Sequence, residues 1–552
     1  LASEIRSFII ESVSEHGGHL ASNLGVVELT MALHLCMDFP NDKLIWDVGH
    51  QAYTHKLLTG RKEDFSGLRT FGGMSGFPKH KESPCDAFDT GHSSTSISAA
   101  LGYARARDLK GEDRTVVAVI GDGSLTGGMA YEALNNVSHL KSNMIIVLND
   151  NKMSISENVG GLSKHLTALR TRESYMDFKM DVEKKLKQIP HVGDSVARSV
   201  KKSKDSIRQL FVKGGFFEDF GIKYIGPIDG HDIKEMVRVL NALKRLNEPV
   251  VMHVVTQKGR GYVPAEKNPS AFHGVGSFDI ATGESLASKS LTYTSVFSKT
   301  ICRLGKAHPD VVTICAAMPD GTGLTAFKKH FPGRFFDVGI AEGHAVHAVT
   351  FAAGLAAGGM HPFVAVYSSF LQRAYDQIVH DVCIQNLPVV FCVDRAGLVG
   401  ADGETHQGIF DLSYLSMIPN MTVCAPKNKY ELYDMLYFAY QYHGPIAIRY
   451  PRGSAYEGFK NMRPPIEYGK SELMFEGEKI ALVAVGSMVQ TAVQVREKLL
   501  DKGINATVVN ARFVCPLDTE CLDRLSRDHQ WIVTMEENVL KGGFGEACGD
   551  YK

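Results

Sequence analysis

The sequence lacks the features of membrane, secreted and nucleic-acid-binding proteins. No apolar stretch is long enough to span a bilayer, because the best candidate, residues 345–367, is rich in Gly and Ala and is interrupted by His347, His361 and Pro362. Lys and Arg number 60 against 61 Asp and Glu, so no excess of one charge favours nucleic acid or an anionic membrane. No secretory signal pattern is present. We therefore expect a cytoplasmic protein without nucleic-acid or membrane partners.

Paired cysteines are also missing. The ten cysteines are scattered without a CxxC pair, which predicts reduced, buried thiols rather than a metal knuckle or a disulfide framework. The chain begins at Leu1 without a methionine. This start is compatible with a fragment of a longer protein, from which a targeting segment would be missing.

The 552 residues are enough for about three domains. Short β-branched runs alternate with helical patterns in three blocks, residues 1–288, 289–460 and 461–552, which is typical of α/β domains with doubly wound, mostly parallel sheets. The third block has room for only part of a domain, so we expect it to be truncated. A basic stretch, residues 179–213, favours a solvated helical face or mobile cover over a nucleic-acid patch.

Polar residues follow two of the apolar runs in the first block. Gly121-Asp122-Gly123 follows the run 116–120, and Asn149-Asp150-Asn151 follows the run 144–148. Because parallel strands of an open α/β sheet present their carboxyl ends at one edge, we expect Asp122 and Asn151 to lie together there. Carboxylate, amide and carbonyl oxygens suit Mg²⁺, with phosphate oxygens completing the octahedron. A Gly-Asp-Gly alone is often only a tight turn. The prediction of a metal site therefore depends on the second strand end, at Asn149-Asp150-Asn151.

Histidines in the first block lie in short Gly-rich loops, at His19, His50, His92 and His273. A single His beside a Gly is usually a packing residue, but four such loops indicate function. The run Gly91 to Ser96 precedes a helix of small residues and would suit a phosphate at a helix N-terminus, although an ordinary Ser/Thr N-cap also explains it.

The second block carries further polar candidates after its strands. Glu342 follows a predicted strand and reads either as a general acid/base or as a helix N-terminal acid. Arg373 in a helical pattern and Arg452 after a strand would suit a substrate phosphate, with structural ion pairs as the competing interpretation. The Gly-flanked loop from Asp402 to Gly408 suits binding of hydroxyl groups.

Taken together, these motifs resemble the 1-deoxy-D-xylulose-5-phosphate synthase family of thiamin diphosphate (ThDP) enzymes, which is related to transketolase. The resemblance covers nearly the whole chain. The matching motifs include GGHLASNLG (17–25), LIWDVGHQAY (44–53), GHSSTSIS (91–98), GDGSLTGGMAYEALNN (121–136), LNDNKMSIS (148–156), KGRGYVPAEK (258–267), YSSFLQRAYDQ (367–377), DRAGLVGADGETHQG (394–408) and RYPRG (449–453).

The resemblance implies condensation of pyruvate with D-glyceraldehyde 3-phosphate, release of CO₂, and a homodimer with its sites between the first and second blocks. It makes residues 1–288 a diphosphate-binding domain, 289–460 a pyrimidine-binding domain and 461–552 an incomplete C-terminal domain, all of the transketolase type.

The same resemblance assigns roles to individual residues. The implied Mg²⁺ ligands are Asp122, Asn151 and Met153. The implied ThDP contacts are His50, Gly91, His92, Ser93, Gly123, Ser124, Asn151, Tyr262 and Glu342. Catalytic roles fall to Glu342 at the ThDP aminopyrimidine and, for proton transfer, to His19, His50 and His273. The acceptor substrate would contact Tyr367, Arg373, Asp402, His406 and Arg452.

One departure from the family pattern lies beside Glu342. The pattern has one His-Ala-Val before Thr-Phe, whereas residues 344–349 contain two copies. Three extra residues rotate a helix by about 300°. We expect the preceding loop to absorb them, so that Glu342 stays in place.

Two alternatives remain open at this point. A transketolase would share the cofactor but would use a ketose phosphate donor without releasing CO₂. A catalytically silent ThDP-binding protein would bind the cofactor and Mg²⁺ without forming product, a hypothesis prompted by the His-Ala-Val duplication and the short third block.

We predict that the Glu342→Ala substitution abolishes ThDP-dependent turnover, because the cofactor would lose the carboxylate implied at its aminopyrimidine. Steady-state assays of the purified variant test this expectation. An unchanged rate would refute the assignment of Glu342.

Overall fold

The computed structural model describes residues 1–154, 160–171, 215–286, 290–400 and 403–552. The basic stretch 179–213 lies outside the described residues. The chain divides into two compact units, Leu1–Ala287 and Ser288–Lys552. In the described ranges, no helix combines the length and apolarity needed to cross a membrane. All ten cysteines are free thiols, as their spacing predicts, but only six are buried, since Cys85, Cys302, Cys515 and Cys521 are partly exposed.

The first unit is built on a five-stranded parallel sheet with the order β1-β2-β3-β5-β4. Its strands are β1 (Lys43–Trp46), β2 (Val116–Gly121), β3 (Ile145–Asp150), β4 (Lys223–Asp229) and β5 (Val250–Val255). Its helices are α1 (Ala2–His16), α2 (Leu20–Gly25), α3 (Val27–Cys36), α4 (Tyr53–Leu58), α5 (Ser96–Lys110), α6 (Gly128–Leu140), α7 (Gly161–Thr171), α8 (Phe216–Asp219), α9 (Ile233–Leu243) and α10 (Val263–Lys267).

Both faces of this sheet are buried, which explains why its strands read as continuous apolar runs. Alternate residues of β2 enter opposite clusters: Val117 and Val119 pack with α3 and α9, whereas Ala118 and Ile120 pack with α5 and α6. The result is a doubly wound sandwich whose loops after each strand gather at one edge.

The second unit contains two sheets. A seven-stranded sheet has the order β15-β10-β11-β9-β8-β6-β7, and a four-stranded sheet has the order β12-β14-β13-β16. The strands are β6 (Val311–Cys315), β7 (Phe335–Asp337), β8 (His361–Tyr367), β9 (Val390–Asp394), β10 (Thr422–Cys424), β11 (Ile446–Arg449), β12 (Glu472–Phe475), β13 (Lys479–Ala484), β14 (Thr507–Asn510), β15 (Phe513–Cys515) and β16 (His529–Met535).

Helices cover these sheets. They are α11 (Tyr293–Ala307), α12 (Thr325–His330), α13 (Ala341–Ala357), α14 (Ser368–Leu371), α15 (Tyr375–Gln377), α16 (Asp411–Ser416), α17 (Lys429–Gln441), α18 (Met488–Leu500), α19 (Thr519–Asp528) and α20 (Phe544–Tyr551). Helix α15 continues into a π-helical segment, Ile378–Cys383. The predicted α/β class with mostly parallel sheets is confirmed, since among the strands of the described residues only β12 and β15 pair antiparallel with their neighbours.

The two sheets of the second unit are joined by strand β15. This strand follows β14 of the four-stranded sheet directly in sequence, yet it pairs with β10 at the edge of the seven-stranded sheet. Its short run, Phe513-Val514-Cys515, gave no alternating or extended signal in the sequence. Its pairing with β10, rather than the pattern of its own residues, specifies this strand.

A buried cluster of charges lies beside this junction. Lys427, Glu431, Glu472 and Arg512 are each at most 7% exposed, and each of the two cations contacts both carboxylates, which makes four ion pairs. Asn510 donates its amide to both carboxylates, at 3.0 Å from Glu431 Oε1 and 3.0 Å from Glu472 Oε2. Because the cluster is neutral and its members are hydrogen-bonded, burial is tolerated, but removing one charged side chain leaves a buried net charge that nothing balances.

We therefore predict that Lys427→Met destabilises the protein by about 3–5 kcal/mol, because the Glu431 and Glu472 carboxylates would stay buried with only the charge of Arg512 to balance them. Urea denaturation monitored by circular dichroism measures the change in the free energy of unfolding. The matched control is Lys429→Met, which removes an ion pair with the exposed Glu457 and should leave the unfolding midpoint close to wild type. Equal midpoints for both variants would contradict the prediction.

Candidate functional site

The two polar strand ends predicted from the sequence lie side by side. Strands β2 and β3 are parallel neighbours with Gly121 opposite Asn149. The Asp122 N–H donates to the Asn149 carbonyl at 3.1 Å, which continues the ladder one residue beyond the strands. Asp122 and the turn after β3 therefore share one edge of the sheet.

The turn after β3 is tied to Asp122 through the backbone of Lys152. The Lys152 N–H donates to Asp122 Oδ2 at 2.9 Å and to Asp150 Oδ1 at 3.2 Å. Lys152 has a φ of 66°, a left-handed conformation that is strained for a residue with a side chain. Asn151 Oδ1 accepts from the Met153 N–H at 3.0 Å. Asn151 and Met153 thus flank the residue that binds the Asp122 carboxylate.

The electrostatics of this edge suit a cation. Asp122 is buried, and burial together with the neighbouring Asp150 raises its pKa well above the usual range. Two adjacent buried carboxylates favour a positive partner. Across the described residues, no group of three or more His, Cys, Asp or Glu is arranged for a metal. A hard cation would instead find mixed oxygen donors here, a carboxylate, an amide oxygen and a carbonyl, and this donor set fits Mg²⁺.

The Gly-His-Ser loop, residues 91–94, is fixed next to this edge. Asp47, which follows β1, accepts from the N–H groups of Ser94 and Ser96 at 2.8 and 3.0 Å. The Ser94 hydroxyl donates to the Ser124 carbonyl at 2.8 Å. A Cβ on Gly127 would lie 2.1 Å from Ser94 Oγ, so glycine is needed for this approach. Ser93 and Ser124, both predicted ThDP contacts, are thereby brought to neighbouring loops.

Three of the four predicted loop histidines form one cluster. The ring of His273 lies 4.9 Å from that of His50 and 6.0 Å from that of His19, and the latter two rings are 5.6 Å apart. Burial lowers the pKa of His273 well below its usual value, with help from Lys258 and the other two histidines. These surroundings therefore favour the neutral form of the His273 imidazole.

Asn23 holds two of these loops together, although the sequence alone did not single it out. Its amide donates to the carbonyls of His19 at 2.6 Å and His50 at 2.7 Å, and its Oδ1 accepts from the Tyr53 N–H at 2.8 Å. Asn23 is fully buried on α2. All three polar groups of its side chain are used to set the spacing of the two histidine loops.

Lys258 is a second residue to which the sequence alone gave no role. Its buried ammonium donates to the Ser154 carbonyl and lies 3.4 Å from His273 Nδ1. Burial lowers the pKa of Lys258 to about 8, while the charge of Asp122 acts in the opposite direction. The signal that could have found it is its position just after β5, at the same sheet edge as Asp122.

Tyr262, a predicted ThDP contact, has its hydroxyl engaged by protein. It donates to the Ile280 carbonyl at 2.8 Å, and its ring packs edge-on to Phe272. The segment that carries it is bound to the first histidine loop, since Ala21 N donates to the Phe272 carbonyl at 2.9 Å. Tyr262 therefore supports this segment through an apolar cluster.

In the second unit, aromatic and basic residues gather after β8 and β9. The guanidinium of Arg395 lies 3.8 Å from the ring centre of Tyr367, and it also pairs with Asp394 at 2.9 Å. Phe370 stacks on Tyr367 and meets the ring of His406, with centroids 5.3 Å apart in each case. The structure thus links the predicted substrate residues Tyr367 and His406. Arg395, which the sequence analysis left unassigned, fixes the orientation of the tyrosine.

The remaining predicted residues of this unit are placed by their backbone. Arg373 is helical, as the sequence predicted, and lies in a 3₁₀ turn, Gln372–Ala374, between α14 and α15. Arg452 is exposed after β11, beside Tyr450, whose N–H donates to the Val393 carbonyl at 3.0 Å. Asp402 lies outside the described residues.

The duplicated His-Ala-Val lies entirely within α13, which begins at Ala341 and runs unbroken to Ala357. Ala345, Ala348 and Val349 are buried, whereas Val346 of the first copy is exposed. Both copies therefore present small residues to one buried face at helical spacing. The backbone of Glu342 lies in the first turn, and the position of its carboxylate stays a prediction.

Three sequence profiles of protein families match consecutive parts of the chain. The profile described as 1-deoxy-D-xylulose-5-phosphate synthase matches residues 1–256. The pyrimidine-binding domain of transketolase matches residues 289–457, and the transketolase C-terminal domain matches residues 469–551.

Solved structures also resemble the chain. A chain titled split gene transketolase, inactive beta4 tetramer, is 31% identical and covers 48% of this chain and 85% of its own, with a TM-score of 0.44. Transketolase from Campylobacter jejuni is 17% identical and covers 100% of this chain and 96% of its own, with a TM-score of 0.39. TM-scores this low say nothing about the functional site.

Curated relatives are much more similar. The 1-deoxy-D-xylulose-5-phosphate synthase of Lachnoclostridium phytofermentans is 64% identical over 547 residues, which are 99% of this chain and 87% of the relative. Those of Carboxydothermus hydrogenoformans and Clostridium tetani are 54% and 56% identical and cover 100% of this chain and 88% of each relative. The chain therefore belongs to the 1-deoxy-D-xylulose-5-phosphate synthase family of ThDP-dependent transferases.

Proposed function

We propose that this chain condenses pyruvate with D-glyceraldehyde 3-phosphate to form 1-deoxy-D-xylulose 5-phosphate and CO₂, using ThDP held through Mg²⁺. This reaction is the first step of non-mevalonate isoprenoid precursor synthesis. The observation that carries the proposal is the junction of Asp122 with the turn after β3 through the Lys152 N–H. This hydrogen bond brings a set of oxygen donors together next to the histidine cluster, as a ThDP enzyme of this family would require.

Asp122, Asn151 and the Met153 carbonyl would hold Mg²⁺, and the metal would hold the diphosphate. The loops at residues 91–94 and 123–124 would supply further backbone donors to phosphate oxygens. When bound, ThDP supplies a nucleophilic carbon and an electron sink for the decarboxylation of pyruvate. Glu342 would bond the aminopyrimidine end of the cofactor, as the family motif implies.

The histidine cluster would transfer protons to and from the substrate oxygens. Lys258 has only donors to offer, so the contact with its ammonium makes His273 Nδ1 the acceptor and leaves the proton of the neutral ring on Nε2. His273 would therefore donate from Nε2 toward an oxygen that gains negative charge. His19 and His50 would share this work, since their rings border the same space.

The acceptor substrate would be held by the second unit. Arg373 and Arg452 would bind its phosphate, for which the planar guanidinium is well shaped. Tyr367, oriented by Arg395, would add a hydroxyl donor, and His406 with Asp402 would bind the hydroxyl and aldehyde groups. We also propose a cytoplasmic homodimer. We further propose the three-domain division at residues 288 and 460, and the spans of the three matching family profiles support this division.

A single assay separates this proposal from its alternatives. The purified chain is incubated with pyruvate, D-glyceraldehyde 3-phosphate, ThDP and Mg²⁺, and CO₂ and ketose phosphate are quantified. We expect equimolar CO₂ and 1-deoxy-D-xylulose 5-phosphate. Consumption of a ketose phosphate donor without CO₂ would indicate transketolase activity, and ThDP binding without product would indicate the silent protein.

We predict that Asp122→Asn raises the half-saturating Mg²⁺ concentration by at least about 10-fold, because a neutral amide replaces the charged ligand. Turnover measured against Mg²⁺ concentration at saturating ThDP gives the shift. Asp523→Asn, which changes a surface carboxylate bonded to Lys552 and Tyr551, is the control and should match wild type. An unshifted Mg²⁺ dependence in Asp122→Asn would remove Asp122 from the metal site.

A further inference from the structure

A chain of three buried polar side chains runs behind the strained turn after β3. The Tyr224 hydroxyl lies 2.6 Å from His253 Nδ1, and His253 Nε2 lies 3.0 Å from Asp150 Oδ2. The exposed fractions of Tyr224, His253 and Asp150 are 4%, 0% and 0%. Neither Tyr224 nor His253 has a part in the proposed reaction.

These side chains lie on one face of the sheet. His253 on β5 is opposite Leu148 on β3, two residues before Asp150, and Tyr224 on β4 is opposite Val251, two residues before His253. Since side chains two residues apart on a strand point to the same face, all three project from the same side. They form a polar line across three neighbouring strands.

The surroundings of this line are apolar. Tyr224, Leu148 and Val251 belong to the cluster that packs under α5 and α6, and Phe217 stacks on the Tyr224 ring with centroids 5.6 Å apart. Burying a hydroxyl, an imidazole and a carboxylate in such a place is costly unless each is hydrogen-bonded. An apolar residue at position 253 would pack there without needing any partner, so packing does not explain the histidine.

The hydrogen bonds in the chain run in one direction. The Asp150 carboxylate can only accept at Oδ2, so His253 Nε2 donates to it, and His253 Nδ1 is the atom left to accept from the Tyr224 hydroxyl. The other oxygen of Asp150 accepts the Lys152 N–H at 3.2 Å. Each side chain therefore donates to the next one, from Tyr224 to His253 to Asp150, and Asp150 accepts from the backbone of the turn.

The turn at the end of this chain is the strained one. Lys152 is held at a φ of 66° by two carboxylates, Asp122 and Asp150, that share its N–H. Its neighbours are Asn151 and Met153, the proposed metal ligands. Asp150 can hold the N–H only while its carboxylate keeps its orientation, and His253 fixes that orientation.

We propose that Tyr224 and His253 are positioning residues for the metal-binding turn, acting through Asp150 to keep Asn151 and the Met153 carbonyl in place for Mg²⁺. This inference rests on the proposed Mg²⁺ site. The Tyr224 hydroxyl fixes the tautomer of His253, and His253 fixes the orientation of the Asp150 carboxylate. Asp150, together with Asp122, then accepts the Lys152 N–H. Outer residues of this kind tune metal affinity without touching the metal.

The test measures ThDP binding to the full-length chain by isothermal titration calorimetry at a series of Mg²⁺ concentrations. Tyr224→Phe and His253→Leu should raise the half-saturating Mg²⁺ concentration about 10-fold or more, as outer-shell substitutions do. His253→Gln retains a donor toward Asp150 and should raise it less than His253→Leu. At saturating Mg²⁺, folded variants should recover ThDP affinity and kcat near those of wild type.

Tyr440→Phe is the matched control, because it also removes a tyrosine hydroxyl bonded to a carboxylate, that of Asp310, in the other unit. Its Mg²⁺ dependence should equal that of wild type. If His253→Leu does not fold, Tyr224→Phe and His253→Gln decide the outcome.

The possible failures are distinguishable. A wild-type chain that binds ThDP without any Mg²⁺ dependence would contradict the proposed metal site itself. Variants with lowered melting temperature and a wild-type Mg²⁺ dependence would show that the chain of side chains only stabilises the fold, which would overturn this inference alone. A loss of kcat that saturating Mg²⁺ does not restore would overturn it as well.

Discussion

The sharing of one backbone N–H between two carboxylates is the interaction on which the site depends. Lys152 donates to Asp122 and Asp150 together, and this bond joins the ends of β2 and β3 into one edge. It also holds Lys152 in a left-handed conformation that would otherwise cost of order 1 kcal/mol. The geometry of the proposed metal ligands follows from that constraint. The parallel sheet supplies the rigid base that makes such a strained turn sustainable.

The other functional groups are arranged around this edge by the same means, side chains that bind backbone. Asp47 fixes the Gly-His-Ser loop through two N–H groups, and Asn23 spaces the loops of His19 and His50 through their carbonyls. Buried side chains used in this way are costly if left unpaired, so each enforces one loop conformation. In the second unit Arg395 plays a similar part for Tyr367.

Much of the fold and of the site edge could be predicted from sequence, for a physical reason. A strand buried on both faces is a continuous apolar run, and its end is marked by the first polar residue, so β2 and β3 and their terminal Asp122 and Asn151 could be recognised locally. Strand β15 could not, because its partner on β10 specifies it. Asn23, Lys258 and His253 escaped individual assignment because their roles depend on contacts distant in sequence. The helical pattern around Arg373 was recognised, although its 3₁₀ geometry was not.

Asp122 and the turn after β3 together form the proposed metal site. The most direct measurement is a crystal structure of the chain grown with ThDP and Mn²⁺, a substitute for Mg²⁺ whose anomalous scattering locates the ion. We expect one strong peak within about 2.0–2.3 Å of an Asp122 carboxylate oxygen, the Asn151 amide oxygen and the Met153 carbonyl oxygen. A peak bound to Asp150 in place of Asp122, or ThDP held with no ion at this edge, would contradict this expectation.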